Sequence, residues 1–207
     1  MCCRYFIEDN AYMKYMAQQA EKTKLFYNNQ GRIGKGILGC GEVFPDKQVA
    51  ALAPDKAGKR HIFPMIWGYK VQGLERPVVN ARSETAAEKL LFRDSFMVRR
   101  CAIPFTHYYE WEHFRSANGK TKTGDKYLIA PKGRELTYFC GLYRIDDGYP
   151  YFVILTREAT DDLAFIHDRM PVMINAETVD CWINPRFNPQ MVLREALTDM
   201  ITERVTA

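Results

Sequence analysis

Cysteine occupies position 2, directly after the initiator methionine. An initiator methionine is normally removed when the next residue is small, and cysteine qualifies. Removal leaves a 1,2-aminothiol at Cys2, and that pair has a chemistry of its own. The amine condenses with an aldehyde to a Schiff base, and the thiol then closes onto the imine carbon to form a thiazolidine ring. With an ordinary pKa of about 7.8, roughly 10–20% of an α-amine is free base at pH 7, against about 0.04% of a lysine near 10.4. Taken alone, the dipeptide more readily reads as an incidental cysteine, with an acylated Met-Cys-Cys anchor the weaker alternative.

Three further segments carry groups that suit proton transfer or ligand binding. Glu110 lies in Tyr108-Tyr109-Glu110-Trp111. Its aromatic neighbours either bury the carboxyl and raise its pKa, or leave it as the solvent-facing position of a strand. His167 lies in Ile166-His167-Asp168-Arg169-Met170-Pro171. An imidazole gains or loses a proton on either side of neutrality, so it fits an acid–base role and a structural hydrogen bond equally well. Asn80-Ala81-Arg82 sits between an apolar segment and a capped helix. An amide and a guanidinium there could hold a polar ligand and a phosphate, or belong to an ordinary loop. His61, His107 and His113 have no comparable setting.

Strands must position these groups. Cys3–Ile7, Gln48–Ala53, His61–Trp67, Arg99–Ile103, Tyr108–Glu112, Lys126–Ala130, Leu136–Tyr143 and Tyr151–Thr156 read as strands,. Ala11–Phe26 reads as an amphipathic helix from Tyr12, Met16 and Ala20. The glycine-rich stretch Asn28–Gly41 and the polar stretch Arg115–Asp125 read as loops. Thr85-Ala-Ala-Glu88 is a capping box that predicts a helix to about Phe92. Short helices follow at Asp161–Ile166 and Asn175–Ile183. Asn188-Pro189 opens a last helix whose buried face is Leu193, Leu197 and Met200. Strands in the middle with helices around them predict an α+β fold, a single domain over residues 1–207 with a curved, barrel-like, mostly antiparallel sheet core.

The bulk properties narrow the class. The 207 residues are 47% hydrophobic and 26% charged, which excludes a disordered tail, a collagen-like repeat and a disulfide-stapled miniprotein. A net charge of +4 permits an anionic partner without demanding one,. The longest apolar runs, such as Tyr151–Leu155, are far short of the ~18 residues that span a bilayer. Acidic and polar residues follow the start at once, so no signal peptide is expected and the chain is placed in the cytoplasm. Its six cysteines are then expected to be reduced,. They form no C-x-x-C pair, so no metal site and no cofactor are expected.

Together the motifs resemble the SOS response-associated peptidase (SRAP) family of abasic-site processing proteins. The matching pieces are Met1-Cys2 with Arg4; Trp67-Gly68; Asn80-Ala81-Arg82 with Glu84-Thr85; Arg100-Cys101 and Pro104; Tyr109-Glu110-Trp111; Gly141-Leu142-Tyr143; and Ile154-Leu155-Thr156 leading to Ile166–Pro171. The resemblance implies a protein that binds single-stranded DNA and captures an abasic site covalently, nucleoid-associated when bound to damage; a monomer is the default expectation. It implies Cys2 as the nucleophile, Glu110 deprotonating the amine, His167 moving a proton at the sugar oxygen, and Asn80 bonded to the adduct. Arg4 and Arg82 would hold flanking phosphates, with Trp67 and Leu74 also against DNA. It further implies self-processing of the N-terminus, and lyase activity or crosslink reversal. The sequence departs from the family at Cys3, where glycine is usual, and at His107, where glycine is also expected. Glu42-Val43-Phe44-Pro45-Asp46 replaces the family's Asn-x-Ala-Pro-Gly stretch, and Leu74 lies in the loop where relatives carry tryptophan. Two other readings use the same residues: a cysteine peptidase with Cys2 and His167 as nucleophile and base, and an inactive single-strand-binding module.

Overall fold

The computed structural model describes residues 3–33, 36–115, 118, 121–133 and 136–206. In chain order the elements are β1 (Tyr5–Ile7), α1 (Ala11–Glu21), α2 (Lys24–Ile33), β2 (Gly41–Val43), β3 (Gln48–Pro54), β4 (Arg60–Trp67), β5 (Asn80–Arg82), α3 (Arg93–Val98), β6 (Arg100–Phe105), β7 (His107–Arg115), β8 (Thr121–Pro131), β9 (Thr137–Asp146), β10 (Tyr149–Glu158), α4 (Asp161–Ala164), β11 (Arg169–Pro171), β12 (Met173–Asn175), α5 (Val179–Ile183), α6 (Pro189–Arg194) and β13 (Met200–Arg204). Strands β3, β4, β10, β9 and β6 pair in a closed ring. Only the β4–β10 contact in that ring is parallel. A second sheet, wholly antiparallel, runs β13-β8-β7-β1-β2. The α+β, barrel-like fold expected from the strand spacing is the one found.

Alternation along the strands divides the core in two. Phe152 and Ile154 of β10 join Met65, Trp67, Ile103 and Phe139, which meet Tyr5, Val43, Tyr108 and Ile129 of the second sheet. Val153 and Leu155 face the other way, into a cluster with Met16 and Ala20 of α1, Phe96 of α3 and Trp182 of α5. Helix ends near that second cluster leave carbonyls without intrahelical donors. Arg100, 1% exposed, supplies them. Its guanidinium donates to Phe96 O at 2.8 Å and Met97 O at 2.9 Å, and to Trp182 O at 2.6 Å, Phe187 O at 3.0 Å and Asn184 O. Burial lowers its pKa to about 10, so it stays charged at neutral pH.

Several boundaries differ from the sequence reading. The first helix breaks at Thr23, whose hydroxyl donates to Ala20 O at 2.7 Å and accepts from Phe26 N at 3.2 Å. A second helix therefore starts there and runs to Ile33, over the first part of the stretch expected to be loop, whereas residues 36–40 are without helix or strand as expected. Thr85 does not open a helix. Its carbonyl accepts from Glu88 N and Lys89 N at 3.1 and 3.0 Å in successive turns, and α3 begins only at Arg93. The expected polar loop 115–125 is largely hairpin, with β7 running to Arg115 and β8 starting at Thr121. The last helix stops at Arg194, and Met200, expected on its buried face, begins β13. That edge strand is exposed along nearly its whole length, so it carries no hydrophobic alternation to read. Among the described residues no helix is long and apolar enough to cross a membrane.

Gly141 is fixed by packing. A Cβ there would fall 2.4 Å from Ile103 Cδ1, 2.9 Å from Cys101 Sγ and 3.2 Å from Val153 O. Gly141→Ala is expected to destabilise the protein by about 1–3 kcal/mol through overpacking. Urea unfolding checks this, and an unchanged midpoint would contradict it.

Candidate functional site

The last residues of β10 carry strands on both edges. On one edge β5 pairs in parallel, with Ile154 opposite Asn80 and Thr156 opposite Arg82. On the other β11 pairs antiparallel, with Thr156 opposite Pro171 and Glu158 opposite Arg169. One strand thus brings together Asn80-Ala81-Arg82 and the block that follows His167, segments more than 80 residues apart in sequence. Asn80 and Arg82 share a face of β5, and Ala81 turns into the core,.

An ion pair closes this arrangement. Arg169 donates from Nη1 to Glu84 Oε1 at 2.9 Å and from Nη2 to Glu84 Oε2 at 2.8 Å. Nη2 also donates to Thr156 O at 2.9 Å. The fork geometry is the strong form of this contact. The Arg169 side chain is 9% exposed and that of Glu84 46%. Partial burial would raise the Glu84 pKa, but the Arg169 bonds and charge together with backbone N–H donors hold the carboxyl below its ordinary value. The clamp is therefore intact at neutral pH, and its contribution is lost as pH falls through that lowered value. Both residues lie in motifs singled out from the sequence, but no local spacing relates Glu84 to Arg169; only their shared pairing to β10 does.

His167 sits before β11 with its side chain 14% exposed. Its Nδ1 accepts from Arg169 N at 2.9 Å, and Asp168 Oδ1 lies 2.8 Å from the same nitrogen. One nitrogen cannot accept an N–H and donate to a carboxylate at once. The backbone bond prevails, because Arg169 N is fixed in β11 while the Asp168 side chain is 84% exposed and free to turn away. The neutral ring then carries its proton on Nε2. Burial lowers the His167 pKa, opposed by the negative charges of Glu110 and Asp168. His113 of β7 donates its N–H to Ile166 O at 3.1 Å. Its ring lies edge-on to His167 at 5.1 Å. These contacts tie the His167 segment to the strand that carries Glu110.

Glu110 takes the buried alternative left open by the sequence, at 4% exposure. Its Oε1 accepts from Trp111 N at 3.2 Å. Tyr109 and Trp111 point the opposite way, as alternation requires,. On that outer side Arg4 lies 4.6 Å over the Phe44 ring and 5.1 Å over Trp111. Arg4 is anchored by its carbonyl, which accepts from Tyr109 N at 2.9 Å. Leu74 is 57% exposed on a turn after Gly73.

Trp67 departs from its expected place against DNA. It is 0% exposed, with its ring 5.1 Å from Tyr5 and stacked on Phe152 at 6.3 Å. Its role is to hold the site from behind. Nε1 donates to Val79 O at 3.0 Å, the carbonyl directly before Asn80. Gly68 continues that support from φ +114°, where a Cβ would strike Pro77 Cβ at 2.8 Å. Cys2 lies outside the described residues. Among the described residues, no group of three or more His, Cys, Asp and Glu is placed to hold a metal ion.

The whole chain, residues 1–207, matches the family described as SOS response associated peptidase (SRAP). Over 154 residues it is 32% identical to abasic site processing protein YoaM of Bacillus subtilis, covering 70% of this chain and 65% of that protein. It is 31% identical over 154 residues to YoqW of the same organism, which is also called an abasic site processing protein, covering 70% and 66%. The match thus spans just under two thirds of each relative. Two crystal structures share the fold: a protein from Bacteroides thetaiotaomicron (TM-score 0.71, 20% identity, 99% of this chain and 92% of that one), and a phage-related protein from Bordetella bronchiseptica (TM-score 0.71, 20% identity, 100% and 95%).

Two measurements probe the geometry. An NMR titration of His167 is expected to give a midpoint below the ordinary value of about 6.5. Stability then declines as pH drops below that value, since the unfolded chain takes up the proton first. A midpoint at or above 6.5 would contradict the half-buried neutral ring. Glu84→Gln removes the clamp's charge and is expected to cost about 1 kcal/mol, a figure kept small because Glu84 is half exposed. A denaturation midpoint equal to that of the parent would show that the pair contributes nothing.

Proposed function

The chain belongs to the SRAP family, and we propose that it captures abasic sites in single-stranded DNA as a covalent adduct of Cys2. The observation that supports this reading is a buried carboxyl, Glu110, whose charge acts on a half-buried imidazole, His167. Asn80 and Arg82 lie on β5, which pairs with β10, the same strand that holds the segment following His167 on its other edge. Arg4, two residues after Cys2, is bonded to the neighbour of Glu110.

The chemistry follows from the aminothiol. After loss of Met1, the Cys2 amine adds to the aldehyde carbon of the ring-opened sugar, with Glu110 taking its proton. The carbinolamine loses water to give a Schiff base. Sγ then adds to the imine carbon while the nitrogen regains a proton, closing the thiazolidine. One aldehyde and one aminothiol give one ring and one water. His167 moves the proton at the sugar oxygen when the ring opens, and the neutral form assigned to it is ready to accept one. The Asn80 amide bonds the adduct, Arg82 and Arg4 hold phosphates, and Leu74 wedges against a neighbouring base. The lesion has no base edge to read, so backbone charge and the aldehyde must supply recognition. The same residues hydrolyse the Met1–Cys2 bond in self-processing. The Schiff base is also the species from which strand cleavage or reversal proceeds. The protein acts as a monomer.

The test is a denaturing gel of Met1-processed protein incubated with single-stranded DNA carrying one abasic site. A shifted band is expected that Cys2→Ala abolishes. Glu110→Gln and His167→Ala should slow its formation by about 10²-fold, the usual contribution of a proton-transfer group, while leaving DNA binding in place. Absence of the band with the parent protein would refute capture. Peptide cleavage without a band would point to the peptidase reading instead.

A further inference from the structure

On the outer face of the β1–β2–β7–β8 sheet, one carboxylate restrains two cations. Glu42 Oε2 lies 3.6 Å from Arg4 Nη1, and Oε1 lies 3.8 Å from Lys126 Nζ. Register explains the grouping. Glu42 pairs with Phe6 on β1, two residues from Arg4. Lys126 pairs with Trp111 across β7 and β8. Both cations rest on aromatic rings. Arg4 lies over Phe44 and Trp111, and Lys126 lies 3.8 Å over Tyr109 and 5.7 Å over Trp111. Tyr109 and Trp111 flank Glu110, so this cluster adjoins the candidate site. All three charged side chains are partly open to solvent, at 30%, 34% and 23% for Arg4, Glu42 and Lys126.

The geometry points to Lys126 as a further phosphate-contacting residue beside Arg4, and to Glu42 as the residue that sets specificity by occupying both cations until a strand is held at the lesion. This rests on the single-strand reading of the site. The rings fix the cations in place, so little side-chain freedom remains to be lost when a phosphate arrives. Glu42 contacts both cations at more than 3.5 Å, too far for hydrogen bonds, so a phosphodiester can replace it with shorter, charge-assisted ones. While Glu42 is seated, the cluster carries one net positive charge instead of two. Attraction for undamaged strands, which rests on counterion release, is correspondingly weaker. A lesion held covalently does not depend on that attraction, so the restraint acts mainly against undamaged DNA. Glu42 also lies in the Glu42–Asp46 stretch where this sequence departs from the family pattern.

The experiment measures binding to undamaged single-stranded DNA by fluorescence anisotropy across a salt series, with the denaturing gel on abasic DNA run in parallel. Glu42→Gln is expected to tighten binding to the undamaged strand about tenfold at low salt. It should steepen the dependence of log K on log salt by about 0.7, the value of one extra single-strand phosphate. Lys126→Gln is expected to make the slope shallower by about 0.7. In the Lys126→Gln background the gain from Glu42→Gln should shrink, because the two residues are coupled. Unchanged or weaker binding by Glu42→Gln, or an unchanged slope for Lys126→Gln, would overturn the inference. The gel separates the two readings: a normal crosslink with these binding results absent refutes only the restraint, whereas loss of the crosslink in the parent protein refutes capture itself.

Discussion

The pairing of both edges of β10 near its carboxyl end is the constraint on which the site depends. Thr156 sits between Arg82 on one side and Pro171 on the other. A strand offers a donor and acceptor series on each edge, so a single rigid element can fix two loops from distant parts of the chain. The Arg169–Glu84 pair spans the same place and is bonded to the Thr156 carbonyl. The backbone of Arg169 also fixes the His167 ring. Position and tautomer of the imidazole therefore follow from the strand pairing that fixes the Arg169 backbone, while burial lowers its pKa. A site assembled on strands holds its groups more closely than one built on loops alone.

Behind this lies a supporting layer with no chemistry of its own. Trp67, Gly68 and Pro77 fix the backbone that enters Asn80. Gly141 on β9 packs against Ile103 and Cys101 of β6, which leave no room for a Cβ. Arg100 satisfies carbonyls from two helix ends and the loop after α5, and stays charged without a carboxylate partner. A guanidinium surrounded by carbonyl dipoles is stabilised by charge-assisted bonds. This avoids the unpaired buried charge that would otherwise be costly.

The strands, the barrel-like sheet and the residue types of the site were legible in the sequence. Period-two alternation and turn chemistry are local signals, and they located β3, β4, β6, β7, β9 and β10 well. What was hidden depends on contacts between distant segments. Trp67 gave no sign of burial, since a tryptophan before a glycine suits a stacking surface as well as a core; only its bond to Val79 decides. The Thr85–Glu88 capping box does not form: the buried Thr85 hydroxyl has no hydrogen-bond partner among the described residues, and the Thr85 carbonyl instead closes turns to Glu88 and Lys89. β13 is stabilised by an edge partner rather than by burial, so its own residues carry no pattern. The sequence left Glu110 between solvent and interior, and the register of β7 decided for the interior.

That register also separates the two tasks proposed for these residues. Along β7, Glu110 points inward and loses its water, while Tyr109 and Trp111 point outward and carry cations on their rings. Proton transfer benefits from a dry, fixed carboxyl, because electrostatic interactions are stronger where water is excluded. Strand binding needs the reverse: mobile counterions to release and charges that reach phosphates. A helix would spread such neighbours over a broad face at about 100° per residue, whereas a strand sends consecutive residues to opposite sides. Acid–base groups and phosphate-binding groups can therefore be adjacent in sequence without neutralising one another. Glu110 is buried on the core side of β7, while on the outer side Arg4 and Lys126 lie within ion-pair distance of Glu42.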